Sequence, residues 1–362
     1  MIILTKTAPT DTTVEQASAD DNSRGITPPA LQHETMRAIV QTRYGSADVL
    51  HLEEVARPAN GAQDLLVRVH AAGLDRGTWH MMTGLPYLLR YMGFGLRGPK
   101  NPIPGLDVAG TVVAVGDEVT RFAVGDAVFG IAKGSFAEYA SAREDKLAHK
   151  PANVSFAEAA VLGVSGLTAL QSVRDVGRVQ PGENVLIIGA SGSVGTFAVQ
   201  VAKASGAVVT GVCSTGKLDL VRSVGADHVI DYTSEDFASG SQRYDLIIDT
   251  GGNSRLSRLR RALTPTGTLV IVGGEGGGRI TGGFGRQLRA AALSPFVRQR
   301  LTMKVPKEHY ADLERLTQLV EAGELKPIVD GTYSLVEVPD AMRRLASGMA
   351  RGKLAVAVFE AG

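Results

Sequence analysis

The chain has 362 residues, of which 44% are hydrophobic and 21% are charged, an ordinary composition for a globular protein. Its 38 Lys and Arg residues balance 37 Asp and Glu residues, so net charge gives no reason to expect a nucleic-acid partner. The single cysteine, Cys213, excludes an intrachain disulfide and a structural zinc site built from several thiolates.

The first segment, residues 1–35, is rich in Thr, Ser, Asp and Pro and has no hydrophobic periodicity. Such a composition cannot bury a core, so we expect a disordered N-terminal extension. The segment lacks the apolar stretch of a secretory signal, and the chain has no run of about 18 apolar residues that would suggest a membrane span. We therefore expect a cytoplasmic protein.

Residues 36–157 contain short segments that alternate apolar and polar residues and are separated by glycine turns, for example MRAIVQTRYG and LLVRVHAAGL. This pattern predicts a small, mostly antiparallel, barrel-like β domain. Residues 158–305 alternate apolar strands with helices, which predicts a parallel sheet covered on both faces. Residues 306–362 return to β texture, and we expect the last strands to rejoin the first domain.

The most informative stretch is GENVLIIGASGSVGTFAVQVAK, residues 182–203. An apolar strand, Val185 to Ile188, precedes three glycines at three-residue spacing and a helical pattern. This order predicts a dinucleotide pyrophosphate site, because the turn admits phosphate close to the backbone and the helix start offers free N–H groups. The residues expected at this site are Gly189, Ser191, Gly192, Ser193, Val194 and Gly195.

The nucleotide is predicted to be NADPH, because no Asp or Glu occurs from Asn184 to Leu218. A carboxylate roughly 20 residues past the turn would bind the ribose 2′-OH of NAD. Ser214, Thr215 and Lys217 stand there instead, and hydroxyl and ammonium groups suit a 2′-phosphate. The alternative for Lys217 is an exposed helix start.

The nicotinamide half should lie outside the carboxyl ends of the fourth and fifth strands of the parallel sheet. Those ends are Thr250 and Gly251, and Val272 and Gly273.

With these residues in this order, the chain resembles the medium-chain dehydrogenase/reductase superfamily, in its zinc-independent quinone oxidoreductase-like branch. The stretches that carry the resemblance are PGLDVAGTVVAVGDEVTRFAVGDAVFG, GSFAEYA, GASGSVGTFAVQVAK, GADHVIDY and GKLAVAVFE. The resemblance implies an α/β fold, with a GroES-like mostly antiparallel β-barrel domain and a Rossmann doubly wound parallel-sheet domain. It also implies that Tyr232 packs near the adenosine phosphate, and that the protein is a homodimer with paired sheet edges.

The superfamily's zinc enzymes carry a cysteine and a histidine where this chain has Asp75 and Leu106. Leucine cannot bind a metal, and the lobe that would hold four cysteines has none. No metal site is therefore expected. Hydride transfer without zinc needs hydrogen-bond donors that polarise a carbonyl oxygen, which suits quinones and α,β-unsaturated ketones or aldehydes.

Residues 74–100 are expected to line the substrate cleft, where the resembling family keeps its substrate residues. Tyr87 matches a family tyrosine near the nicotinamide and could polarise the carbonyl. Asp75 could accept a bond from ribose or orient a water molecule, and Thr78 could donate to a substrate oxygen. The alternatives are a capped turn for Asp75 and Thr78 and a half-buried core position for Tyr87.

The segment from Arg279 to Lys304 has six basic residues and no acidic one. It could be a lid over the substrate, a dimer surface or a weak contact with anionic membranes. A solvated loop with an ordinary helix is the further alternative.

The sequence thus predicts a zinc-independent NADPH-dependent oxidoreductase that transfers a hydride to a quinone or an α,β-unsaturated carbonyl. The alternatives are a pathway-specific enoyl or alkenal reductase and a non-catalytic NADPH-binding protein.

Overall fold

The structure is a computed structural model and describes residues 34–273, 278–303 and 307–359. Most of the predicted N-terminal extension (residues 1–33) and Lys304 of the basic segment lie outside these residues. Within the described ranges, no helix is both long and apolar enough to span a membrane.

The first part of the chain forms an antiparallel, barrel-like β domain. Its elements are β1 (Thr35–Val40), β2 (His51–Ala56), β3 (Asp64–Leu74), α1 (Arg76–Thr83), β4 (Asp107–Val115), β5 (Ala127–Ile131), β6 (Tyr139–Arg143) and β7 (Leu147–His149). Alternate side chains are buried in the first part of β3, as the period of a half-buried strand requires, and its last four residues are all buried. Two helices, α2 (Phe156–Ala160) and α3 (Gly163–Gln171), lead out of this domain.

A six-stranded parallel sheet follows, with strand order β10-β9-β8-β11-β12-β13. Its elements are β8 (Asn184–Ile188), α4 (Ser193–Ala204), β9 (Val208–Cys213), α5 (Leu218–Ser223), β10 (His228–Asp231), β11 (Tyr244–Asp249), α6 (Leu256–Ala262), β12 (Leu263–Ile271), α7 (Phe284–Leu293) and β13 (Arg300–Met303). The strand β8 lies between β9 and β11, so the order reverses direction beside it. The crevice at such a switch point is where open α/β sheets bind ligands.

The chain then returns to the first domain through α8 (Tyr310–Glu321), β14 (Val329–Ser334), α9 (Val338–Ala346) and β15 (Lys353–Ala357). The strand β15 pairs antiparallel with β3, with Leu354 opposite Leu74. Because β15 starts beside the parallel-sheet domain and runs into the barrel, its first residues connect the two halves of the molecule.

The edge strand β13 was absent from the strands expected in the sequence. Arg300–Met303 pairs parallel with β12, so the end of the basic segment is part of the sheet. Four residues that begin with an arginine carry little hydrophobic signal, and their pairing with β12 is a long-range effect.

Candidate functional site

The glycine turn after β8 forms a cradle that side chains would fill. Gly189 has φ of +80°, and a Cβ there would lie 2.5 Å from the Thr250 hydroxyl oxygen. A Cβ on Gly195 would lie 2.1 Å from the carbonyl oxygen of Gly189. Gly192 caps α4 with no side-chain bond, so no capping side chain occupies the first N–H groups of the helix. This cradle and these donors fit a dinucleotide pyrophosphate.

The same turn is held from the C-terminal segment of the chain. The backbone N–H of Gly352 donates to the carbonyl of Ser191 at 2.9 Å. The hydroxyl of Ser193 donates to the carbonyl of Gly352 at 3.2 Å. Two of the residues predicted to bind the pyrophosphate therefore also join the nucleotide turn to the start of β15.

The residues predicted for the nicotinamide half lie together beside this turn. The N–H groups of Val272 and Gly273 both donate to the carbonyl of Asp249, at 3.0 and 3.1 Å. The hydroxyl of Thr250 donates to the carbonyl of Ile188 at 2.8 Å. A Cβ on Gly273 would lie 2.0 Å from the carbonyl oxygen of Thr250, so only glycine allows the ends of β11 and β12 to lie this close together.

A buried ion pair that the sequence did not reveal supports these strand ends. Asp249 is fully buried, and its two oxygens accept from the Gly252 N–H and from the guanidinium of Arg286. Arg286 also donates to the carbonyls of Ser254 (3.0 Å) and Gly273 (3.1 Å). Arg286, one of the six basic residues of the segment 279–304, is therefore paired inside the protein, with its side chain only 11% exposed.

The corner after β9 holds the residues predicted to bind a 2′-phosphate, and the side chains of two of them have partners within the protein. The ammonium of Lys217 donates to the carbonyls of Gly348 (2.9 Å) and Ala350 (2.7 Å), and partial burial lowers its pKa. The hydroxyl of Thr215 donates to the carboxylate of Asp231. Ser214 precedes the short helical turn that contains Lys217.

The corner is not free of acids, although the sequence stretch that leads to it is. Asp231 comes from the end of β10, and bonds from Thr215 and Thr233 lower its pKa. Tyr232, the next residue, is 60% exposed at the same edge. The local sequence could not show this, because parallel strand neighbours are distant along the chain.

A second cation reaches the corner from the C-terminal segment. Arg351 donates to the carbonyl of Gly216 at 3.0 Å and pairs with Asp219. No sequence signal points to Arg351, because it is separated from Asp219 by 132 positions. Arg351 and Lys217 therefore each place a cation at this corner.

The three catalytic candidates fall in two separate places. Asp75 caps α1: its carboxylate accepts from the N–H of Thr78 at 2.8 Å and from the Thr78 hydroxyl at 3.1 Å. Both side chains are buried. Tyr87 lies in the loop after α1 and is 38% exposed, with the guanidinium of Arg90 4.7 Å from the centre of its ring. The alternative of a capped turn thus describes the contacts of Asp75 and Thr78.

A second buried ion pair joins two strands of the barrel sheet at the start of β15. Lys353, the first residue of β15, pairs with Asp107, the first residue of β4, and both are almost fully buried. Burial raises the pKa of Asp107, while Lys353 and the Val164 N–H, at 2.7 Å, oppose that rise. This pair fixes the segment that carries Gly352 and Arg351.

Potential metal ligands do not cluster in the part of the chain that the structure describes: no three His, Cys, Asp or Glu side chains converge there. Leu106 precedes Asp107 at the position where a zinc enzyme of the resembling family has histidine.

Two family models match the chain. Residues 61–152 match the alcohol dehydrogenase GroES-like domain, and residues 224–356 match the zinc-binding dehydrogenase model.

Curated proteins and solved structures match over most of the chain. It is 33% identical to 2-methylene-furan-3-one reductase from Solanum lycopersicum over 94% of this chain and 83% of that protein. It is 32% identical to the chloroplastic quinone-oxidoreductase QR1 from Triphysaria versicolor, covering 89% and 98%. It is 31% identical to the mitochondrial NAD(P)H oxidoreductase RTN4IP1 from Mus musculus, covering 92% of each. The quinone oxidoreductase structure from Coxiella burnetii superposes with a TM-score of 0.80 at 28% identity, covering 90% of this chain and 100% of that one.

Proposed function

Because the chain belongs to the medium-chain dehydrogenase/reductase superfamily, in its quinone oxidoreductase-like branch, and is an NAD(P)H-dependent oxidoreductase, we propose that it uses NADPH to reduce a quinone or an α,β-unsaturated carbonyl without zinc. The observation that carries the proposal is the glycine cradle at Gly189 and Gly195, packed against Thr250 and Gly273 at the switch point of the sheet.

NADPH supplies the hydride when bound, and the chain's residues orient it. The first N–H groups of α4 bind the pyrophosphate, and the glycines at the ends of β11 and β12 leave space for the nicotinamide half. Asp249 and Arg286 keep those ends in place.

The preference for NADPH over NADH is supported by the charges at the β9 corner. Lys217 has only carbonyl partners among the described residues, so no carboxylate neutralises its ammonium directly. Arg351 shares the corner and pairs with the exposed Asp219, a bond that a phosphate can replace. Ser214 and Tyr232 flank the same position.

Tyr87 is the donor that we assign to the carbonyl oxygen of the substrate. A phenol hydroxyl placed where negative charge develops stabilises an enolate or hydroquinone anion. Asp75 and Thr78 have a positioning role in this proposal, because their bonds hold the start of α1 and thereby the loop that carries Tyr87.

The experiment is a screen of NADPH consumption over quinones, enones and enals, with NADH in parallel. Oxidation of NADPH by members of any of these classes supports the proposal. Binding of NADPH without turnover of any of them would instead indicate a non-catalytic nucleotide-binding protein. Turnover confined to one enoyl or alkenal substrate would indicate the pathway-specific reductase.

Two further proposals concern partners. The strand β13 is an edge of the parallel sheet in the described residues, and pairing with its copy would give a homodimer, which light scattering can test.

Leu288 and Phe296 are exposed near Arg289 and Arg298, so this segment could touch anionic lipid weakly, and co-sedimentation with anionic and neutral liposomes can test it. We propose that the protein is located in the cytoplasm.

A further inference from the structure

A pocket of about 480 Å³ opens beside Tyr87. It is enclosed by the loop before β2, the C-terminal half of α1, the loop after α1, the segment before α7, and α9. Its lining residues are Gly45, Ser46, Ala47, Trp79, Thr83, Leu85, Tyr87, Arg90, Arg279, Met342, Arg343 and Ala346. We call it the Trp79 pocket. Its volume lies in the range of small-molecule sites.

The Trp79 pocket includes residues of both domains. The N–H of Tyr87 donates to the carbonyl of Arg279 at 2.8 Å, and the N–H of Leu88 donates to that of Ile280 at 3.0 Å. Arg279 lies six residues after Gly273, one of the residues proposed for the nicotinamide half. Tyr87 lines the pocket and, in the proposed function, is also the donor to the substrate carbonyl.

The lining is mostly apolar, and its polar residues are Ser46, Thr83, Tyr87 and three arginines. The arginines differ in how their charge is balanced. Arg343 pairs with Asp340 and Asp48, at 2.6 and 2.5 Å, so it is neutralised. Arg90 donates to the carbonyl of Gly84 and stacks 4.3 Å from the ring of Tyr44. Among the described residues, no carboxylate pairs with Arg90 or with the exposed Arg279.

An apolar pocket with two cations of unbalanced charge at its wall suits a ligand with an apolar body and one anionic end. Trp79, Leu85 and Met342 would contact the body, and Arg279 and Arg90 would bind a carboxylate. We propose that the Trp79 pocket selects substrates whose reducible carbonyl is joined through an apolar chain to a carboxylate. The substrate role rests on the proposed function, whereas the anion preference of the pocket does not.

Direct binding can be measured without turnover, because Trp79 is the single tryptophan of the chain. Its fluorescence is titrated with phenylbutanoate and with phenylbutanamide, which has the same body without the charge. We expect the carboxylate to bind about tenfold more tightly. The preference should fall in Arg279→Gln and be largely kept in Arg279→Lys. Arg43→Gln is the matched control, because Arg43 is exposed and does not line the pocket. This substitution removes the same charge as Arg279→Gln.

The substrate role is tested by measuring turnover of two compounds. One is a vinyl ketone whose six-carbon chain ends in a carboxylate, and the other is its methyl ester. We expect kcat/KM to favour the acid about tenfold, mainly through KM, and Arg279→Gln to lower that ratio while Arg43→Gln keeps it.

The outcomes separate the two proposals. Equal binding of phenylbutanoate and phenylbutanamide would overturn the anion preference of the pocket, and equal turnover of acid and ester would overturn the substrate role. Either result would leave the proposed function standing. Tighter binding of phenylbutanoate with no turnover of acid, ester or any compound of the screen would overturn the proposed function and with it the substrate role.

Discussion

The N–H of Gly352 donates to the carbonyl of Ser191 at 2.9 Å, which joins the nucleotide turn to the strand that returns into the barrel domain. The next residue, Lys353, is buried against Asp107, and the preceding residue, Arg351, lies at the proposed 2′-phosphate corner. One short C-terminal segment therefore bonds to the glycine turn, carries the proposed phosphate ligand Arg351 and connects the domains.

Gly195→Ala tests the cradle. Its Cβ would lie 2.1 Å from the carbonyl oxygen of Gly189, and relieving an overlap of this kind costs about 1–3 kcal/mol. We expect the Kd for NADPH, measured by calorimetry, to rise by about tenfold or more. Gly240→Ala is the control, because its Cβ would meet nothing closer than 3.9 Å. Unchanged affinity in Gly195→Ala would contradict the placement of the pyrophosphate.

The β9 corner is tested by Lys217→Gln and Arg351→Gln. Each removes one cation from the proposed 2′-phosphate site, so kcat/KM for NADPH should fall about tenfold while that for NADH changes little. Arg222→Gln on α5 is the matched control. If both variants keep the wild-type ratio of NADPH to NADH, the corner does not select the cofactor.

Arg286→Ala tests the buried ion pair at the end of β11. Removing one partner of a buried pair leaves Asp249 uncompensated, and we expect a loss of about 3 kcal/mol in the free energy of unfolding by urea. Arg289→Ala, on the same helix, removes only a bond to the Gly285 carbonyl and should cost less than about 0.5 kcal/mol. Equal effects of the two variants would mean that Arg286 is an ordinary surface arginine.

Tyr87→Phe tests the proposed carbonyl donor. Loss of a hydroxyl that acts on developing charge should lower kcat with enones by at least about tenfold and leave KM nearly unchanged. Tyr91→Phe is the control, because Tyr91 is 77% exposed in the same loop. Kinetics that are unchanged across several enones would remove Tyr87 from the mechanism.

Much of the fold could be predicted from the sequence because its signals are local. The apolar run Val185 to Ile188, the glycines that follow and the helix after them form one contiguous unit, and the structure has them as β8, the turn and α4. After that unit, strands alternate with helices as the sequence predicts, except for the short edge strand β13.

The contacts between distant segments could not be predicted. Three such contacts depend on which strand ends lie side by side. They are the hydrogen bond from Thr215 to Asp231, the hydrogen bond from Arg351 to Gly216, and the ion pair of Arg286 with Asp249. The absence of an acid along one stretch of sequence therefore did not mean an absence of acids around that stretch in space. Asp75 and Thr78 illustrate the converse, since a local capping motif explains the bonds that they make.

The most direct measurement is the steady-state rate of NADPH oxidation with a quinone and an enone, before and after exhaustive treatment of the protein with a zinc chelator. Our account predicts turnover with NADPH that exceeds turnover with NADH and is unchanged by the chelator. Loss of activity with the chelator and its return with added zinc would contradict the metal-independent mechanism, and absence of turnover with either nucleotide would contradict the proposed reaction.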